Sequence, residues 1–402
     1  MKFFEIALLF KKIIIAFIFP FFALAQQPLL TLQDLISIAL ENNLRLKKSQ
    51  MEVAQSKTLV NSAFNFDKTQ LYYAYDENNL ASNNLPLRIF GVQQDFNFPT
   101  VYFSEKNVNI ARYDLVLSAQ DIQKKEIERQ VTETYFQFQI AQKKQRHYRA
   151  LDSLFHKYYN TVLRQYELGE INYLEKITAA SKQRQINLQF REAQKEVSIS
   201  RHALQIIIQI ESPLRIAEVP QLKVPIKSVV LDESPQMQFY KKNLFLAQAL
   251  WRNEKQKLLP DISLNYFQGT NIELKDKLYG YQLGLTIPLL FGGQQSQIKA
   301  SIKAREIAAA ELSDYEIQLK ARLKFLNLEL HQIQDALDYF ENEGKILSEE
   351  IIKTAKVSFQ NGEIDFGQYF ESIESAYQIK LSHLDKLNEY NSLGIAINYL
   401  AL

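Results

Sequence analysis

The residues best able to do chemistry are few, and their spacing does not gather them. The 402-residue chain has no Cys, three Met and five His. His147, His156, His202, His331 and His383 are never three or four residues apart, so no helix face collects two imidazoles for a metal. Without Cys there is no thiolate ligand, thiol nucleophile, disulfide or lipid anchor on Cys. No Ser–His–Asp set, phosphate loop or carboxylate pair stands above a background in which 23% of residues are charged. The run Lys143-Lys144-Gln145-Arg146-His147-Tyr148-Arg149 invites a binding-patch reading, but on a long helix it is a solvated face. A formal charge of +2 gives no field for nucleic acid. The expectation is no enzyme, no catalytic residue, no cofactor and no metal.

What remains informative is where the chain breaks. It has 11 Gly and 10 Pro, against roughly 48 of the two together at average usage. Residues 100–212 contain no Pro and only Gly169, and residues 294–402 contain no Pro and only Gly344, Gly362, Gly367 and Gly394. An ordinary α/β enzyme would need far more turns. Long helices separated by short non-helical pieces at 67–99, 213–235 and 260–293 are expected. The mean hydropathy of -0.23 excludes a polytopic helical membrane protein.

The first 25 residues read as an address. Lys2, Lys11 and Lys12 precede the apolar run Ile13–Leu24, and Ala23-Leu24-Ala25 supplies a cleavage site before Gln26. The apolar run is too short for a transmembrane helix, which needs ~20 residues. With Glu5, this segment carries the whole net charge, so the mature chain is neutral. Export without Cys suits a Gram-negative envelope.

The mature chain is one unit written twice, at an offset of 193 residues. Gly91 falls on Gly284, Ala111-Arg112 on Ala304-Arg305, and Gly169-Glu170-Ile171 on Gly362-Glu363-Ile364. Tyr166 falls on Phe359 and Tyr173 on Phe366. The expected repeats are 26–219 and 220–402. Each holds two strands, 69–77 with 88–98 and 261–268 with 279–291. Phe90, Val92, Gln94, Phe96 and Phe98 form one face, and the offset maps them onto Leu283, Leu285, Ile287, Leu289 and Phe291. Apolar-out, polar-in strands rimmed by Tyr and Phe suit a bilayer β-barrel. Four strands cannot close one, because small barrels start near about eight, and open edges do not survive in lipid. Either the hairpins are soluble, or several chains complete one barrel; three would give twelve strands.

Helix lengths fit the second option. An unbroken helix is expected over 100–166, with a seam spaced four and three through Ile127, Val131, Thr134, Phe138, Ala141, Gln145, Tyr148, Asp152, Phe155, Tyr159 and Val162. A second line, Tyr135, Leu151, Leu154 and Tyr158, implies two neighbours. The return path is 171–210, then 235–259 beyond the Pro-rich crossing. The second copy runs 293–359 and returns over 364–400, with 31–65 supplying its missing upper part. Such long helices paired with stacked half-helices describe a tube wall.

In that order the segments resemble the TolC-like outer membrane efflux protein family, over essentially the whole mature chain. The carriers are Leu32–Asn43 as the opening helix, Leu259-Pro260-Asp261-Ile262-Ser263-Leu264 leading into the second hairpin, and Ile287-Pro288-Leu289-Leu290-Phe291-Gly292-Gly293 before the second long helix. Tyr166–Gly169 and Phe359–Gly362 resemble the two helical tips. The resemblance implies a mainly α fold with a small β part: a long α-helical barrel continuous with a trimeric twelve-stranded transmembrane β-barrel, four strands per chain. It implies a homotrimer in outer membrane lipid, reaching into the periplasm of a Gram-negative bacterium. A periplasmic adaptor would dock at the tips (Tyr166, Gly169, Glu170, Phe359, Gly362, Glu363) and link the duct to an inner-membrane pump of the RND type. The strand-to-helix turns would hold Pro99, Pro288, Gly292 and Gly293. In one family pattern acidic residues six and nine places after the second tip Gly narrow the entrance; here those are Gln368 and Glu371, and Glu175 holds the first-tip equivalent. Ile364 stands where that pattern has a basic lock residue. The implied function is the passive exit duct of a tripartite efflux pump. A duct for type I protein secretion, or a periplasmic coiled-coil scaffold, are the alternatives.

Overall fold

The structure is a computed structural model and describes residues 29–219, 221–228, 230–289 and 292–400. The expected signal segment, residues 1–25, lies outside these, as do Leu290 and Phe291.

Helix α1 (Leu32–Asn42) starts at a reciprocal cap: Thr31 Oγ1 accepts from the Asp34 N–H while the Asp34 carboxylate accepts from the Thr31 N–H. Asn43 breaks the chain and caps α2 (Leu44–Leu59). Strands β1 (Gln70–Leu80) and β2 (Pro86–Phe96) follow. Helix α3 (Pro99–Glu167) is 69 residues long, about 100 Å at a rise of about 1.5 Å per residue. Next come α4 (Tyr173–Ile208), the crossing segment 209–234 and α5 (Pro235–Gln256). Strands β3 (Asp261–Thr270) and β4 (Leu278–Thr286) lead to α6 (Gly292–Tyr339), α7 (Lys345–Gln360) and α8 (Phe366–Asn398).

Helix α3 is the spine. Its lower part packs on α4 and α8, its upper part on α5 and α2, and α1 meets it between the two. The expected seam is buried: Ile127, Val131, Phe138, Phe155 and Val162 are all at most 3% exposed. Asp152, an odd member by type, accepts from Asn187 of α4 at 3.0 Å. The apolar contacts gather in four zones along the helices; the one nearest the sheet joins Val108, Ala111 and Ala249, and three more follow below it. One joins Leu35, Val131, Leu204 and Ile395; the next joins Ile140, Leu326, Leu337 and Leu387; the last joins Phe155, Ile186, Ala355 and Phe370.

The crossing segment is stapled by side-chain amides that imitate a strand. Asn391 is 1% exposed; it donates to the Leu222 carbonyl at 2.8 Å and accepts from the Val224 N–H at 2.9 Å. Gln139 does the same with Ala217 and Val219, and Asn398 with Pro225 and Lys227. Each amide satisfies backbone groups that have left regular structure.

Several boundaries differ from the sequence expectation: β1 runs to Leu80, β2 starts at Pro86 and β3 runs to Thr270, and three further departures have a clear local cause. Strand β2 ends at Phe96, not at residue 98, because the Asn97 N–H turns to the Tyr102 hydroxyl and Pro99 opens the helix as its first residue. Strand β4 ends at Thr286, short of residue 291, with Pro288 unable to donate to a ladder. The second long helix is not uniform: a π-helical turn, Phe340–Gly344, joins α6 to α7. A Cβ on the buried Gly344 would sit 3.1 Å from Phe340 and 3.3 Å from Ile379 of α8, so the glycine and the widened turn let α8 pass close.

The sheet has the order β1-β2-β3-β4, antiparallel throughout. Leu71 pairs with Val92, Val92 with Tyr266, and Tyr266 with Tyr281, so the four side chains share one face.

Candidate functional site

The two helical tips are built alike. Helix α3 ends where the Gly169 N–H bonds the Tyr166 carbonyl and the Glu170 N–H reaches back to the Gln165 carbonyl at 2.9 Å. Helix α7 ends where the Gly362 N–H bonds Phe359 and the Glu363 N–H bonds the Ser358 carbonyl at 2.8 Å. This double bond pattern needs a left-handed residue at the stop. Gly169 and Gly362 supply it at φ 76° and 74°. A Cβ on either would meet nothing within 4 Å, so the requirement is backbone conformation and not space.

The chain then restarts with a capped helix. Asn172 accepts from the Glu175 N–H at 3.0 Å and donates to the Glu175 carboxylate at 2.7 Å. Asp365 accepts from the Gln368 N–H at 2.8 Å, and the Gln368 amide oxygen accepts from the Asp365 N–H at 3.2 Å. Glu175 and Gln368, expected at a constriction, are thus engaged in holding their own helix starts. Glu371 is exposed and has no ion pair among the described residues. Its neighbour Glu374 bonds Lys182 of α4 at 2.9 Å, tying the second hairpin to the first. Hydrogen bonds from Ser358 and Asn361 hold the Glu363 carboxyl below the usual range.

The tips differ in surface. Lys176 lies 4.2 Å from the Tyr166 ring centre; 193 residues on, Tyr369 stacks on Phe359 at 5.0 Å. Phe366 and Phe370 continue that stack onto Tyr158 of α3, at 4.6 and 4.0 Å. The second tip is therefore locked inward. The first tip presents Leu168 (73% exposed), Tyr173 (60%) and Leu174 (71%) to solvent.

At the other end, the strand face is exposed and apolar. Tyr281 is 90% exposed, Leu283 71% and Leu285 63%. The opposite face carries Gln93, Asn265, Gln282 and Tyr72, whose hydroxyl bonds Asn265 at 3.0 Å. The turn residues Pro99, Gly292 and Gly293 sit at helix starts, and Pro288 lies in the link after β4. Sequence reading missed the staples Gln139, Asn391 and Asn398; polar residues inside an otherwise apolar helical face were the available signal.

The described residues hold no cluster of three metal-ligating side chains, and no helix among them is long and apolar enough to cross a membrane. A cleft of about 700 Å³ between α1, α3 and the crossing segment is lined by Leu32, Lys125, Thr132, Pro225 and Tyr399 among others, without a nucleophile–base pair.

No protein-family model and no curated protein sequence matches the chain. Solved structures do. CusC aligns at a TM-score of 0.75 and 16% identity, over 92% of this chain and 91% of its own. The CmeC outer membrane channel of Campylobacter jejuni aligns at 0.73 and 16%, over 92% and 85%. The open-state MtrE outer membrane channel of Neisseria gonorrhoeae aligns at 0.73 and 15%, over 92% and 88%. With its four-stranded sheet at one end of two long helical hairpins, the chain has the TolC-like fold of these outer membrane channels.

Proposed function

We propose that the protein is the outer membrane exit duct of a tripartite efflux system, a passive conduit for small molecules or ions. One observation carries the reading: a four-stranded sheet, apolar and exposed on one face, polar on the other, with both edges unpaired, set on helices ~100 Å long. Unpaired edges are untenable in lipid and a liability in water, and an exposed apolar face of this size is untenable in water. Three copies joined β4 to β1 close a twelve-stranded barrel, cover every edge, turn the apolar face to lipid and enclose the polar one. The helices below then form a tube across the periplasm. Each chain keeps its place in the outer membrane through the barrel.

Opening is assigned to the tips. The exposed Leu168, Tyr173 and Leu174 of the first tip form the apolar contact for a periplasmic adaptor, which connects the duct to an energised inner-membrane pump of the RND type. The second hairpin, held by Tyr158–Phe370 stacking and Lys182–Glu374, is the part that must release for the lumen to widen. Three Glu371 side chains around the axis set a preference for cations at the entrance. Glu175 and Gln368 contribute through their caps. Purified protein in planar bilayers should give stepwise conductance with cation preference; a protein that leaves the bilayer silent refutes the duct.

A further inference from the structure

Helices α5 and α6 enclose a cavity of about 340 Å³ whose lining is aromatic and acidic. Tyr240 of α5 stacks on Tyr315 of α6 with ring centres 4.7 Å apart, and Phe239 meets Tyr240 edge-on at 5.9 Å. All three rings are half-buried. Glu311 and Asp314 add two exposed carboxylates to the same lining. Each accepts from one neutral amide: Glu311 from Asn243 at 3.3 Å, and Asp314 from Gln318 at 2.7 Å. Neither forms an ion pair among the described residues, because the neighbouring lysines are engaged elsewhere. Lys241 faces Asp232 at 3.5 Å, Lys242 faces Asp114 at 3.1 Å and Lys320 faces Glu316 at 2.8 Å.

The same helix pair shows what such rings hold when the chain supplies the charge. About three turns further along α5, the Trp251 ring carries two cations, Lys255 at 4.0 Å and Arg305 of α6 at 4.9 Å. No side-chain cation joins Tyr240 and Tyr315 among the described residues. The first repeat meets the same packing need without rings. At the offset of 193, Leu46 and Lys47 of α2 take the places of Phe239 and Tyr240, while Ser118, Asp121, Ile122 and Lys125 of α3 take those of Glu311, Asp314, Tyr315 and Gln318. Joining a half-helix to a long helix therefore requires neither the aromatic stack nor the acid pair.

We propose that this cavity binds an organic monocation, a quaternary or protonated amine with an apolar or aromatic body. Ring faces attract a diffuse cation, and the two carboxylates supply its counter-charge. A divalent metal ion fits poorly, since it needs six or more oxygens or keeps its own waters, and the described residues hold no group of three metal-ligating side chains. The cavity faces the lumen. On α6, residues 311, 315 and 318 lie on one flank and residues 320, 324 and 327 on the opposite one, where Leu231 of the crossing segment lies beside them. On α5, Lys241 turns to Asp232 of that segment. Three crossing segments inside a tube would block it, so they girdle its outside. The proposal rests on the duct reading above and names a cargo class: organic cations that pause on the wall.

The test is a titration of the purified protein in non-ionic detergent with benzyltrimethylammonium, followed by saturation-transfer NMR. Binding should saturate, and benzyl alcohol, which keeps the ring without the charge, should bind at least about tenfold more weakly. Glu311→Gln with Asp314→Asn should weaken binding about tenfold, and Tyr240→Leu at least about fivefold. Glu316→Gln, on a carboxylate outside the cavity, should leave it unchanged. Unheated gels check that Tyr240→Leu still assembles; the double variant alters exposed side chains alone and decides the matter if it does not. Absence of saturable binding overturns the proposal, as does undiminished binding in the double variant, an equal loss in Glu316→Gln, or full displacement by equimolar magnesium. The binding is read without a bilayer. Its failure removes the site and leaves the duct, whereas a silent bilayer beside intact binding removes the duct and leaves the site.

Discussion

Replacing Gly362 with Ala and with Pro separates two ways of damaging one tip. At φ 74°, with nothing within 4 Å of a new Cβ, Ala suffers only the left-handed conformational penalty, about 1–2 kcal/mol. Pro cannot reach that φ, and it deletes the N–H that bonds the Phe359 carbonyl at 3.1 Å, so its cost is ~3 kcal/mol or more. The damage stays at the tip. The upper packed zones, the amide staples and the sheet lie far up the chain from the turn; only the lowest zone, which Phe366 joins to Phe359 at 4.6 Å, is within reach of it. In a strain dependent on this duct, Gly362→Ala should weaken drug resistance partially and Gly362→Pro should abolish it, with trimers on unheated gels unchanged. Gly169, at φ 76°, should behave alike. Gly367 is the conformational control: it sits inside the first turn of α8 with no left-handed φ, and a new Cβ would meet only the Asp365 Oδ1, at 3.2 Å, so Gly367→Ala should cost less than Gly362→Ala. Wild-type resistance in Gly362→Pro would refute the claim that the tips are docking elements.

Other substitutions probe the rest of the wall. Asn391→Leu strips the Leu222 carbonyl and the Val224 N–H of their partners, at about 1–3 kcal/mol for each group, and should lower the temperature at which the assembly dissociates; an unchanged midpoint contradicts the staple. Gly344→Ala forces a Cβ toward Phe340 and Ile379 at 3.1 and 3.3 Å, at a cost of about 1–3 kcal/mol, visible as earlier proteolysis of the second hairpin. Glu218 is held down at a pKa of about 2 by hydrogen bonds from Arg146 and then Lys143. A depressed carboxyl stabilises the fold fully above the unfolded value near 4.5 and loses that contribution as pH falls toward about 2. Glu218 is well exposed, so the amount is under about 1 kcal/mol. Glu218→Gln should flatten the acid end of the stability profile, and identical profiles would remove the role.

The breaks were legible because each has a local physical cause. Gly169 and Gly362 stop helices by conformation, and the alternation in β2 to β4 marks which face meets which medium. The π-helical turn was not legible, since Phe-Glu-Asn-Glu-Gly contains no residue that forbids an α-helix; it depends on how closely α8 passes. Gln139, Asn391 and Asn398 act on a segment far away in sequence, so spacing could not reveal them. For Glu175 and Gln368 the resemblance pointed to the entrance, and the structure adds the caps that they make. The local signals Asn172-x-x-Glu175 and Asp365-x-x-Gln368 are helix-start patterns, and they describe what these side chains do.

The central claim is that three chains complete a barrel in the outer membrane. Membrane fractionation followed by gel electrophoresis of unheated samples tests it directly. The account predicts a band near three times the chain mass in the outer membrane fraction, converting to monomer on boiling. A monomer-sized band in the soluble periplasmic fraction would contradict it.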